Sequence, residues 1–207
     1  VQRARNIVRI IGGALKRRQI CFPDLPEIRP TPDRARETLF NWLAPSIIHS
    51  RCLDLFSGSG ALSFEALSRG AATVICVEHS RLICNHLEEY KQLFNPPDSH
   101  SHSDPKSDPK TVLNIIHQDA VSFLKSQSQN TLKCKPFDIV FVDPPFDHNL
   151  WFDCCLALHE QGWITPESVV YLETPHPVPK DTYPTQYFKI YKETAMGQVH
   201  LTLLIAQ

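Results

Sequence analysis

The chain has 207 residues, 42% of them hydrophobic and 21% charged, with a formal net charge of −1. That length fits one domain with at most a small appendage, and it is enough to bury a sizeable core. No apolar run approaches the ~18 residues that cross a bilayer, and the basic start lacks the apolar stretch of a secretory signal, so a cytoplasmic protein without a membrane partner is expected.

Seven cysteines, Cys21, Cys52, Cys76, Cys84, Cys134, Cys154 and Cys155, are scattered without a C-x-x-C pair. Several sit inside apolar runs, where a thiol acts as a small hydrophobe. Reduced thiols are expected, and neither a zinc site nor any other metal. The near-zero net charge hides an asymmetry. Val1 to Arg36 carries nine Arg/Lys against three Asp/Glu, a net +6, and the rest of the chain carries −7. A basic arm on an acidic body suits attraction to phosphates, although a solubilising tail would have the same composition.

In chain order, "RNIVRIIGGALKRRQICFP" (Arg5 to Pro23) has two β-rich runs around a basic stretch and predicts a hairpin. "RPTPDRARETLFNWL" (Arg29 to Leu43) predicts a helix, with Thr31 as its cap, Pro32 at its first position and Leu39, Phe40, Trp42 and Leu43 as its apolar face. From Arg51 onward, apolar strand segments at 52–56, 73–78, 112–116, 137–142 and 169–173 alternate with helical segments at 61–69, 80–94, 119–128 and 150–160. Near-continuous apolar strands predict a parallel sheet covered by helices on both faces. Two further strands, 187–191 and 199–205, have no helix-length segment between them, so they pair antiparallel through a turn near Gly197 and reverse the edge of the sheet. The expected fold class is α/β: a Rossmann-like, seven-stranded mixed sheet, last strand antiparallel, behind a small β-hairpin extension. Residues 1–28 form the basic extension and 29–207 the main domain, with a polar, low-complexity insertion at 95–110 that reads as a surface loop.

The chemistry gathers at strand ends. In "LDLFSGSGALSFEAL", Gly58 and Gly60 permit a tight turn leading into a helix whose N-terminus offers free N–H groups. A dinucleotide fingerprint would place a third glycine at Ser63, which disfavours NAD. Glu78 ends the second strand of the alternating region, where an acid can accept from both hydroxyls of a ribose. Asp119 follows the third, where it can accept from an adenine amine or simply cap a helix. Asp143, Pro144, Pro145 and Phe146 follow the fourth, on the edge where open α/β sheets bind ligands. Arg34, Glu37 and Asn41 share one helical face, either approaching the ligand or pairing on the surface.

"DPPF" resembles the (D/N)PP(Y/F) motif of methyltransferases that use S-adenosylmethionine on nucleobase amines. Together with "RIIGG", "RPTPDRARETLFNWL", "LDLFSGSGALSFEALSRGA", "DIVFVDPPF" and "MGQVHLTLL", nearly the whole chain is similar to the RsmD family, bacterial 16S rRNA guanine-N2 methyltransferases. The likeness breaks at the 95–110 insertion and at Arg17, where the family often has glycine. The resemblance implies a class I S-adenosylmethionine-dependent fold. Asp54, Phe56, Ser57, Gly58, Ser59 and Gly60 would hold the methionine part of the cofactor, Glu78 and His79 the ribose, and Asp119 and Ala120 the adenine. Asp143 to Phe146 would form the catalytic loop, and Arg9, Lys16, Arg17, Arg18 and Arg34 would grip RNA. The partner would be 16S rRNA, naked or in the assembled small subunit, and the enzyme a monomer. In this reading Asp143 and the Pro144 carbonyl accept the two N–H bonds of the target amine, and Phe146 stacks on the base. The alternatives are a DNA adenine-N6 or cytosine-N4 methyltransferase, or a non-catalytic rRNA-binding assembly factor.

Overall fold

A computed structural model describes residues 6–25, 28, 30–94, 112–126, 135–145, 150–178 and 184–207. The insertion at 95–110 and Phe146 lie outside the described residues. Two short strands, β1 (Asn6–Arg9) and β2 (Gln19–Phe22), pair antiparallel as the predicted hairpin. Helix α1 (Asp33–Leu43) follows, and then strand and helix alternate: β3 (Arg51–Asp54), α2 (Ala61–Ser68), β4 (Thr73–Glu78), α3 (Arg81–Phe94), β5 (Val112–His117), α4 (Ala120–Ser126), β6 (Ile139–Val142), α5 (Leu150–Glu160) and β7 (Val169–Thr174). The long strands β8 (Phe188–Met196) and β9 (Val199–Ala206) close the fold.

The main sheet has seven strands in the order β5-β4-β3-β6-β7-β9-β8. The first five run parallel, and β9 pairs antiparallel with both β7 and β8. The reversed strand is therefore second from the edge, not the edge itself: β8 runs in the same direction as β7, and β9 fills the gap between them. The expected 187–191 segment extends to Met196, because every residue of the longer strand finds a partner along β9 except at an irregularity between Ile190 and Lys192.

Two apolar layers sandwich the sheet. On one face α1, α2 and α3 pack on alternate strand residues such as Cys52, Phe141 and Tyr171; on the other α4 and α5 pack on Leu53, Val140 and Leu172. Helix α1 buries Ala35, Arg36, Leu39, Phe40 and Leu43, the stripe that a 3.6-residue period produces. The expected cap fails. Pro32, with φ −55° and ψ 146°, holds the capping position and has no side-chain acceptor, so the helix begins at Asp33. Thr31 is instead buried beneath the helix start.

The hairpin joins the first of these layers: Val8, Ile10, Ile20 and Phe22 share a cluster with Phe40 and Phe141. A buried carboxylate fastens it. Glu65 on α2 accepts hydrogen bonds from the backbone N–H of Ile11 and of Gly12, each at 2.8 Å, and from Arg69 Nε at 2.7 Å. The buried Arg36 guanidinium lies 3.5 Å from it and donates to the carbonyls of Arg9 and Thr31. Close approach is part of the joint: at Gly13, φ 77°, a Cβ would fall 1.7 Å from the Ser68 carbonyl oxygen. The turn also holds Arg17 at φ 73°, a left-handed conformation that favours glycine.

Removing the shared acceptor leaves the Ile11 and Gly12 N–H donors without a partner and takes a buried counter-charge from Arg36 and Arg69. Glu65→Ala is expected to cost about 3–5 kcal/mol of folding stability, read as a lower denaturation midpoint. A loss under 1 kcal/mol would show that the hairpin is held by apolar packing alone.

Candidate active site

The carboxyl ends of β3, β4, β6 and β7 open onto one cavity of about 1160 Å3, bordered on its far side by residues just before and within α1 and by the β8–β9 turn. The cavity exceeds the upper end of the range usual for a drug-sized ligand, roughly 300–1,000 Å3, so it has room for a cofactor and part of a second reactant.

The glycine turn after β3 takes the form the sequence requires. Gly58 and Gly60 have φ 47° and 78°. A Cβ on Gly60 would come within 2.7 Å of side-chain carbons of Leu87 and Phe64, whereas one on Gly58, which lines the cavity, would meet only the Phe56 carbonyl oxygen at 3.8 Å, an ordinary contact. Gly58 N–H donates to Glu78 Oε2 at 3.0 Å and Ser80 N–H to Glu78 Oε1 at 2.8 Å. Glu78, almost fully buried, thus ties the turn after β3 to the turn after β4 while lining the cavity. His79 Nδ1 lies 3.0 Å from the same carboxylate, with its ring mostly exposed.

Asp54 is buried at the end of β3. Its Oδ2 accepts from Ser63 Oγ at 2.6 Å, and Oδ1 has no hydrogen-bond partner among the described residues. Burial pushes its pKa up to about 6, against the opposing Ser63 hydrogen bond. Ser63 stands at the position where a dinucleotide site would have its third glycine. Instead of letting helix and strand close up, it anchors the Asp54 carboxylate.

Asp119 takes the role of a helix cap, accepting from Ser122 N–H at 2.8 Å, and it also borders the cavity together with Ala120. Asp143, Pro144 and Pro145 reach the same cavity directly after β6. Burial, then the neighbouring Glu173, then Asp54 hold the Asp143 carboxyl well above the ordinary carboxylate range, while the Thr31 hydroxyl acts in the opposite sense. Arg34 is exposed and lines the cavity. Glu37 and Asn41 do not line it, and the described residues include no Arg34–Glu37 ion pair. Arg9, Lys16, Arg17 and Arg18 are exposed on the hairpin and outside the cavity lining.

The sequence reading missed Glu173, Thr31 and the turn from Thr194 to Val199 as parts of this wall. Glu173 carried the same signal as Glu78, an acid ending an apolar strand, and could have been found by it. The assembled charge is lopsided. Asp54, Glu78, Asp119, Asp143 and Glu173 face the cavity, against Arg34 as its lone Lys/Arg among the described residues. Such a wall repels a pyrophosphate and attracts a cation. The partnerless Asp54 oxygen is a ready acceptor for an ammonium group.

The chain resembles known proteins along nearly its whole length. It is 38% identical over 192 residues to the ribosomal RNA small subunit methyltransferase D of Escherichia coli strain K12, covering 93% of this chain and 86% of that protein. The protein of the same name from Haemophilus influenzae is 37% identical over 200 residues, 97% and 94% of the two chains. The solved structure of a candidate methyltransferase of Escherichia coli, yhhF, superposes with a TM-score of 0.77 at 35% identity, covering 98% of this chain and 99% of that one. A family model described as Conserved hypothetical protein 95 matches residues 8–205. On sequence and architecture together, the chain belongs to that family, the RsmD family.

Proposed function

We propose that the protein methylates the exocyclic N2 amine of a guanine in small-subunit ribosomal RNA, with S-adenosylmethionine as methyl donor. The observation that carries this reading is the placement of Asp143-Pro144-Pro145 in the same cavity as the glycine turn and Glu78, in a chain whose relatives are named small-subunit ribosomal RNA methyltransferases.

The cavity suits the donor. S-adenosylmethionine, when bound, supplies a methyl group on a sulfonium that leaves as a neutral thioether. Its cationic amino-acid end matches Asp54, with its free oxygen, and the Gly58–Gly60 turn. Glu78 has the position for a ribose, Asp119 and Ala120 for an adenine. A guanine N2 lone pair is delocalised into the ring, which makes the amine a weak nucleophile. Asp143 and the Pro144 carbonyl accept its two N–H bonds, drawing the nitrogen toward a tetrahedral shape and aiming its lone pair. The prolines restrict φ at both positions, so this geometry costs little ordering at the moment of reaction. A carboxyl whose proton affinity is raised is also a competent acceptor for the proton that the methylated amine sheds.

The basic hairpin is the surface for RNA. Arg9, Lys16, Arg17 and Arg18 project from a unit that Glu65 and Arg36 hold against the catalytic domain. Phosphate contacts from such a patch would position the RNA without reading its sequence.

Three outcomes are expected. Methyl transfer to unmodified small-subunit RNA or particles yields N2-methylguanosine on nucleoside analysis, and Asp143→Ala lowers turnover ~10²-fold or more with S-adenosylmethionine affinity kept, as for a lost positioned polar group. Full turnover in that variant would remove Asp143 from the chemistry. S-adenosylmethionine affinity, followed by calorimetry, is expected to plateau above pH 6 and fall roughly tenfold per unit below it, because cation binding favours ionised Asp54, whose folded pKa is about 6. Asp54→Asn weakens binding on the plateau and flattens the profile; an unchanged profile would place the ammonium elsewhere. Neutralising Arg9, Lys16, Arg17 and Arg18 together lowers the slope of log K against log salt by roughly 3, at ~0.7 per contact for single-stranded RNA. An unaltered slope would mean that RNA is held elsewhere.

A further inference from the structure

Glu173 is a buried carboxylate on the cavity wall to which neither cofactor binding nor amine positioning gives a task. Strands β6 and β7 are parallel neighbours with Phe141 opposite Tyr171 and Val142 opposite Leu172. Asp143 and Glu173 are the next residues after the last of those pairs, and the Glu173 charge acts directly on the Asp143 carboxyl. Paired residues on adjacent strands lie roughly 4.8 Å apart and point to the same face, so two carboxyls stand side by side at the carboxyl edge, both lining the cavity. The fully buried Tyr171 donates its hydroxyl to Glu173 Oε2 at 2.8 Å, which fixes the carboxyl group from below and opposes the upward shift that burial gives its pKa. The Thr31 hydroxyl sits beside both carboxyls.

We infer that Glu173 selects guanine: with Asp143 it presents two adjacent acceptors to the N1–H and N2–H donors of a guanine edge. This rests on the guanine-N2 reading above and extends it from the amine to the ring. Adenine and cytosine also carry an exocyclic amine that Asp143 and Pro144 could hold. Next to that amine, however, their rings present an unprotonated nitrogen, an acceptor. Facing Glu173, that nitrogen sets two lone pairs against each other and leaves a buried carboxylate unpaired. A site built to bond a donor discriminates strongly against an analogue that lacks it. The Asp-Pro-Pro loop is common ground for all three amines; the acid on the neighbouring strand separates guanine from the other two.

The test replaces the target guanine by 2-aminopurine, which keeps the N2 amine and lacks the N1 proton. Small-subunit RNA with either base at the position methylated by the wild-type enzyme is assayed for kcat/KM. The wild type is expected to prefer guanine ~100-fold or more. Glu173→Gln, close to isosteric, offers an amide N–H to the bare ring nitrogen; it should slow transfer to guanine and quicken transfer to 2-aminopurine, bringing the two within about tenfold. Equal use of both bases by the wild type overturns the role of Glu173 without any variant. So does Glu173→Gln with an unchanged ratio, since a merely structural defect lowers both rates together. Failure of the wild type to form N2-methylguanosine on the guanine RNA overturns the parent reading, and this one with it.

Discussion

Three carboxyl groups end on one wall because β3, β6 and β7 run parallel, adjacent and in register. Asp54 is paired with Phe141, and Phe141 with Tyr171; two residues further along β6 and β7 come Asp143 and Glu173 on the same face. Acids so close and so shielded resist ionisation, and the directions of the Asp54, Asp143 and Glu173 shifts, all upward with burial as the leading cause, record that resistance. Much of the surrounding structure compensates for it. Ser63 and Tyr171 each donate to one carboxylate, and Glu78 holds the turn after β3 by accepting from Gly58 N–H. The wall remains short of positive charge, which is the condition for attracting a cationic ligand.

A second buried carboxylate, Glu65, does unrelated work at the other end of the same helix. It takes two backbone N–H groups of the hairpin and two guanidinium groups of the main domain. Four residues of α2, Ala61 to Phe64, therefore separate the glycine turn from Glu65, where the basic arm is attached. The distance between the basic hairpin and the glycine turn is set by a rigid element, not by a linker, and apolar contacts from Val8, Ile10, Ile20 and Phe22 reinforce it.

Much of this was legible in the sequence because each strand end carries local marks. An apolar run closing on an acid, or on glycines, sits in a few consecutive residues, and that was enough for Glu78, Asp143 and the turn at Gly58, whereas Asp54 entered only through the family resemblance. What escaped depends on residues distant in the chain. Glu173 becomes part of a pair only through the β6–β7 register, and no property of "VVYLET" reveals its neighbour. Arg36 and Glu65 carry no local signal, because they lie 29 residues apart and their hairpin partners Arg9 and Ile11 lie 27 and 54 residues from them. Thr31 matched a capping pattern, but Pro32 took the position, and the threonine turned inward. The reversed strand was recognised from the missing crossover helix, whereas its insertion between two earlier neighbours could not be read from lengths alone.

That insertion governs the order in which the sheet can be assembled. In the main sheet β8 touches only β9, and the outer edge of β7 is covered only by β9. Until the last strand in the chain order arrives, β8 has no place to dock and β7, whose end carries Glu173, is an open edge with unpaired backbone groups. This wall of the cavity is therefore completed late, by a strand that contributes its backbone rather than an acid. Catalytic competence waits on the segment from Val199 to Ala206, long after the glycine turn and the Asp-Pro-Pro loop have emerged from synthesis.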